Sequence, residues 1–170
     1  MPATEPAKTR VIAVDLIHDD GDWSALRDIE ELIDAAAAAV ARHADAGVDN
    51  PLVSIALSCD EAVASLNSAF RQQDKPTNVL SFPAGPGSPE GLLGDIALAE
   101  ETIIREAAEQ GTPFAHHVQH LVVHGLLHLI GYDHETPGEA EDMEALEIQI
   151  LADLGIDNPY TGELQTNIRE

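Results

Sequence analysis

Cysteine is almost missing from this chain. Cys59 stands alone, so no internal disulfide can form. Its place in an apolar run reads as a small buried hydrophobe. Cations are scarce as well: 8 Lys and Arg face 31 Asp and Glu, a formal net charge of −23. That balance excludes loose, non-specific binding to nucleic acid, because phosphate contacts need Lys and Arg. No DNA partner is expected, although a local basic pocket remains compatible with the total. No apolar run reaches the length of a membrane span, so no membrane partner is expected. The first residues, Met1 to Pro6, lack the basic-then-apolar order of a secretory signal. The expected compartment is the cytoplasm.

What is present suits one globular domain. The chain has 170 residues, 44% of them hydrophobic, enough for one sizeable core. Residues 1–7 carry two prolines and read as a disordered N-terminus. Residues 8–157 read as the domain and 158–170 as a C-terminal tail. A strand is expected over Val11 to Ile17, interrupted by Asp15. Ser24 is placed to cap a helix from Ala25 to Ala46, with Leu26, Ile29, Leu32, Ile33, Ala36 and Val40 at helical spacing. The alanines at 35–39 suit close helix packing.

Pro51 to Cys59 reads as a second strand, and Asp60 as the cap of a short helix. Strands over Asn78 to Phe82 and Gly94 to Ala99 flank a loop rich in Gly and Pro. Three helices close the chain. One runs from Glu100 to Gln110, with Gly111 as its stop. The next starts at Thr112-Pro113, with Thr as cap and Pro at the first helical position, and runs to Ile130. The last starts at Thr136, whose spacing to Glu139 is that of a capping box, and ends near Gly155. Strands lie early and helices late. The expected class is α+β: a single domain with a small mixed sheet packed with helices, and a metal site on a helix of the C-terminal half. The acidic residues of the helices read as solvated outer faces.

The metal reading rests on His124-Gly125-Leu126-Leu127-His128-Leu129-Ile130-Gly131-Tyr132-Asp133-His134. Two histidines four apart lie on one face of a helix. Gly131 can turn the chain through positive φ, and His134 then returns toward the pair. His116, His120, His124 and His128 form a ladder on one face, so spacing alone also allows His120 with His124. The glycine turn and His134 select His124, His128 and His134 as the ligands. His120 reads as a packing or substrate-facing residue, and His116 and His117 as surface residues. Three imidazoles with an open fourth position suit one catalytic Zn²⁺ per chain. Ni²⁺, Cu²⁺ or Fe²⁺ fit the same nitrogen set.

Zinc peptidases with this spacing carry Glu after the first His, as general base. Here Gly125 holds that position and cannot take a proton. Either close packing or room for substrate explains it. Upstream, Arg71 and Lys75 sit in a polar break between helix and strand. They read equally as an anion site, given the planar fork of Arg, and as a surface ion pair of Arg71 with Asp74.

The segments Arg71 to Phe82, with its Pro76-Thr77-Asn78-Val79-Leu80-Ser81-Phe82, and His124 to His134 together resemble the YbeY family of bacterial endoribonucleases. Gly94-Asp95-Ile96 and the helix from Glu100 to Gln110 are similar to that family too, so the likeness covers residues 50–155. It implies a single α+β domain and a metal, taken as zinc, on His124, His128 and His134. It implies that Arg71 is important for RNA cleavage. It implies a metal-dependent, single-strand-specific endoribonuclease acting in 16S rRNA 3′-end maturation and ribosome quality control, with rRNA, ribosomal particles and ribosome-associated proteins as partners. Many relatives have Lys where Gln73 stands, so this chain has one local positive charge fewer. The competing readings are a zinc-dependent peptidase or other metallohydrolase, and a non-catalytic ribosome-assembly factor with a structural metal.

Overall fold

The computed structural model describes residues 11–71, 77–133 and 135–160, with the side chains of Phe70 and Arg71 outside the description. The expectations for residues 1–7 and the end of the tail, for Lys75 and its neighbours, and for His134 fall outside the described residues. Four strands and five helices follow in the order β1 (Ala13–His18), α1 (Ile29–His43), β2 (Leu52–Ser58), α2 (Asp60–Arg71), β3 (Val79–Pro83), β4 (Leu92–Ala99), α3 (Glu100–Gln110), α4 (Phe114–Ile130) and α5 (Pro137–Asp153).

The sheet order is β1-β2-β4-β3, which the sequence pattern did not fix. β1, β2 and β4 run parallel, and β3 pairs antiparallel with β4. The mixed sheet of an α+β domain is therefore present. Alternation sorts β2 between the faces: Val53, Ile55 and Leu57 point into the main core, while Leu52, Ser54 and Ala56 are half-buried. The main core joins that first face to α1, α4 and α5. On the opposite face, α2 covers a smaller cluster, Val63 with Leu80, Ala97 and Ala99.

Helix α4 lies at the centre of the molecule. It is buried without a break from His117 to Leu127, as a helix that is apolar all round must be. α1 lies along it because Ala36, Ala37, Ala39 and Ala41 present almost no side chain, and each is buried. Gln119 of α4 donates to the Leu32 carbonyl of α1 at 2.9 Å. Gly125 faces the sheet: a Cβ there would sit 3.0 Å from Ile96 Cδ1. Close packing against that side chain explains the glycine, and room for substrate does not.

Helix starts differ from the sequence expectation in three places, each for a local reason. α1 begins at Ile29, not Ala25, and Ser24 does not cap it. The Ser24 amide and hydroxyl both bond Asp22 Oδ1, which holds a turn instead. Asp60 lies inside α2, and its carboxylate accepts the Thr102 amide of α3 at 3.0 Å, capping a neighbouring helix rather than its own. Thr112 does not cap α4, whose N-cap is Pro113. Its amide closes the end of α3 by bonding the Ala107 carbonyl at 2.9 Å, beyond Gly111 at φ 68°. The cap at Thr136 is as expected, with its hydroxyl accepting the Glu139 amide and Pro137 at the first turn. Cys59 is half-buried rather than buried, its sulfur accepting the Ala62 amide.

Candidate metal centre

Helical geometry brings His124 and His128 together one turn apart near the end of α4. Their rings meet edge to face, with centroids 4.6 Å apart and planes at 76°. Their Nε2 atoms are 3.0 Å apart. Two lone pairs cannot face each other at that distance without a proton or a cation between them. The helix ends directly after the pair. Gly131 adopts φ 122°, its amide bonds the His128 carbonyl at 3.0 Å, and the Tyr132 amide bonds the Leu127 carbonyl at 2.9 Å. That double closure is the glycine stop of a helix. It releases the chain at 131–133, ahead of His134.

The other side of His124 is fixed by a residue that sequence reasoning missed. Glu147 of α5 is 1% exposed. Its Oε1 lies 3.0 Å from His124 Nδ1, and its Oε2 lies 2.9 Å from His120 Nε2. Tyr160 donates its hydroxyl to Oε2 at 2.7 Å. Burial alone would raise the Glu147 carboxyl, but the hydrogen bonds from His120 and His124 outweigh it and hold the group at about 2. The carboxylate is therefore ionised and can only accept. His124 Nδ1 and His120 Nε2 must carry the protons in these two contacts. It follows that neutral His124 keeps its lone pair on Nε2, the atom that faces His128.

This arrangement fits a metal ion. A histidine ligand commonly donates its second nitrogen to a carboxylate, which sets the tautomer. Zinc binds imidazole at about 2.0–2.1 Å, and one ion can reach both nitrogens of a pair 3.0 Å apart. His128 is half-buried while His124 is buried, so the pair sits at the edge of the core. Among the described residues no three His, Cys, Asp or Glu form a metal-binding group. The described part of the candidate site is thus two candidate ligands and the carboxylate behind one of them.

Of the two roles expected of His120, packing or facing substrate, it takes packing, with its Nε2 turned to Glu147. Burial lowers its pKa, against the opposing pull of Glu147. His117 overturns the surface expectation: it is 1% exposed. Its Nε2 lies 3.1 Å from Oε1 of Glu106 of α3, which also accepts from Asn78 Nδ2 at 2.8 Å. Helix periodicity puts residue 117 on the side of α4 that faces α3. Glu106 thereby joins the start of α4 to Asn78, just ahead of β3. The expectation that helix acids are solvated fails at three positions, Glu100, Glu106 and Glu147, all buried. Glu100 accepts the Asp22 amide, and burial raises its carboxyl pKa. Arg71 is the last residue of α2, and its side chain lies outside the described residues.

Comparison with known proteins agrees with this architecture. The family described as Endoribonuclease YbeY matches residues 18–155. An Endoribonuclease YbeY of Azorhizobium caulinodans is 53% identical over 153 residues, covering 86% of this chain and 95% of that protein. One from a Bradyrhizobium species is 52% identical over 145 residues, covering 81% and 86%. A solution structure from Thermotoga maritima shares the fold, with a TM-score of 0.51 at 23% identity, over 84% of this chain and 91% of that one. With its fold and its histidine helix in place, the chain belongs to the Endoribonuclease YbeY family.

Proposed function

We propose that this chain is a metal-dependent endoribonuclease that hydrolyses single-stranded RNA, acting in the cytoplasm on 16S rRNA 3′ ends in maturation and ribosome quality control. Its partners on this reading are rRNA, ribosomal particles and ribosome-associated proteins. Relatives at 52–53% identity carry the name Endoribonuclease YbeY, which supports the RNA substrate. Among the described residues no helix is long and apolar enough to cross a membrane. The observation that carries the metal part is the pair of Nε2 atoms 3.0 Å apart, with a buried carboxylate on the far side of His124.

His124, His128 and His134 would hold one zinc ion. Zinc bound by three histidines supplies a Lewis acid and lowers the pKa of water to about 7. Glu147 keeps the His124 lone pair on Nε2. Arg71 binds the scissile phosphate and offsets the charge that grows on it in the transition state. A peptidase reading lacks its base, because Gly125 stands where that glutamate would be and is buried against Ile96.

The test is cleavage of a single-stranded rRNA fragment by wild type, Arg71→Ala and His124→Ala, purified identically, with chelator and then added zinc. Wild type should cut, stop with chelator and resume with zinc. Arg71→Ala should keep zinc by elemental analysis and lose about 10²-fold or more in rate, the size of one lost charge-stabilising donor. His124→Ala should lose zinc. Cleavage that ignores both chelator and the Arg71 substitution would sink the reading.

A further inference from the structure

Tyr160 lies seven residues beyond the end of α5, in a segment the sequence pattern presents as tail, yet its hydroxyl is spent on a buried carboxylate. The Glu147 carboxylate has three donors on two oxygens: His124 on Oε1, and His120 and Tyr160 on Oε2. The three come from different places. His124 and His120 lie one turn apart on α4, and Tyr160 follows α5. The Tyr160 ring also packs edge to face on His120, with centroids 5.9 Å apart. Each oxygen is thus held along its own direction, and the carboxylate plane cannot rotate without breaking a bond to a buried partner.

The orientation matters at one atom. A carboxylate rotated away from His124 Nδ1 would no longer select the tautomer that frees Nε2. His120 could not take over as a ligand through Nε2, since that nitrogen donates to Glu147. The His120 rung of the histidine ladder therefore serves the carboxylate.

We propose that Glu147 is the positioning residue of the metal centre, fixing the tautomer and ring direction of His124, and that Tyr160 and His120 lock Glu147, so that the segment after α5 sets metal affinity. This rests on the metal reading above. Loss of a carboxylate behind a histidine ligand weakens metal binding about 10–100-fold. A buried carboxylate that served folding alone would alter the melting temperature and leave both the tautomer and the affinity of the folded protein unchanged.

The experiment uses the full chain and zinc alone. Histidine ¹⁵N shifts of the metal-free wild type, at about pH 8, should show His124 protonated on Nδ1 and not on Nε2. Competition with a chromophoric chelator should show zinc affinity lower by about 10–100-fold in Glu147→Gln and by a smaller factor, roughly threefold, in Tyr160→Phe. Tyr160→Phe removes one oxygen and keeps the ring, so it reads the lock even where Glu147→Gln fails to fold. A metal-free His124 protonated on Nε2, or affinities unchanged in the folded variants, overturns the inference and leaves the metal reading standing. A wild type that takes up no zinc overturns both, and is distinguished by that result alone.

Discussion

Two glycines separate what a residue does by shape from what it does by chemistry. At Gly94 in β4, φ is 154° and an added Cβ would lie 2.2 Å from the Phe82 carbonyl oxygen. Backbone meets backbone there, beside a shift in the register between β2 and β4. Gly94→Ala should lose about 3 kcal/mol or more, the joint cost of strain and overpacking, as a lower urea midpoint. Gly125 is a different case. Its added Cβ meets the flexible end of Ile96, at 3.0 Å. Removing a glycine from mid-helix returns about 1 kcal/mol, which opposes the crowding. Gly125→Ala should stay within about 1 kcal/mol of wild type and bind zinc as tightly. A large loss of RNA cleavage at unchanged stability would instead give Gly125 a place beside the substrate. Sequence reading paired His124 with His128 because their i, i+4 spacing survives folding unchanged. It missed Glu147 because a glutamate in an acidic helix defaults to a solvated face. The signal was present: Glu147 shares the stripe of Met143, Ile150 and Leu151, all buried. An acid on an apolar stripe must find a partner, and the ladder of histidines was the available one.

Elements here are finished by one another. α3 has no side-chain cap of its own. The Asp60 carboxylate, from the first turn of α2, accepts the Thr102 amide, while the Asp60 amide donates to Glu101 Oε1 at 3.0 Å. This reciprocal pair repeats the logic of a capping box across two helices. Asp60→Ala should therefore destabilise the protein by about 1 kcal/mol, the usual worth of a helix cap. Amide exchange should rise first at the start of α3, and an effect confined to α2 would show that Asp60 caps its own helix. The same sharing explains which boundaries were readable in the sequence. Gly111, Gly131 and Gly155 stop their helices by local backbone geometry, with positive φ at each, and local geometry is written locally. Ser24, Asp60 and Thr112 looked like caps, but Asp22 holds Ser24 in a turn of its own, and α3 claims the Asp60 carboxylate and the Thr112 amide. Strand order was not legible for a related reason. β3 inserts at the edge of β4 in a register that depends on neighbours outside its own sequence.

The whole molecule carries −23 with 8 cations, and RNA is a polyanion, so association cannot run on global attraction. Long-range forces repel, and salt screens them with a Debye length of about 10 Å at 0.1 M. Local contacts behave oppositely: each phosphate neutralised on a single strand contributes a slope of about −0.7 in log K against log salt. On the proposed reading Arg71 and Lys75 would give the site two cations, hence a slope near −1.4 before screening of the repulsion is counted. Screening adds a positive slope, so the two effects nearly cancel. On a single-stranded rRNA fragment with zinc saturating, kcat/KM should change by less than about threefold between roughly 0.05 and 0.3 M NaCl. A nuclease that grips many phosphates would fall by orders of magnitude over that range. A steep fall here would mean that RNA lies along a broad cationic surface, which would take most of the chain's cations onto one face. It would also move the specificity of cleavage away from Arg71 and the histidine pair. A flat profile places recognition in the few groups at the metal centre and leaves delivery of the RNA to a partner that brings the positive charge this chain lacks.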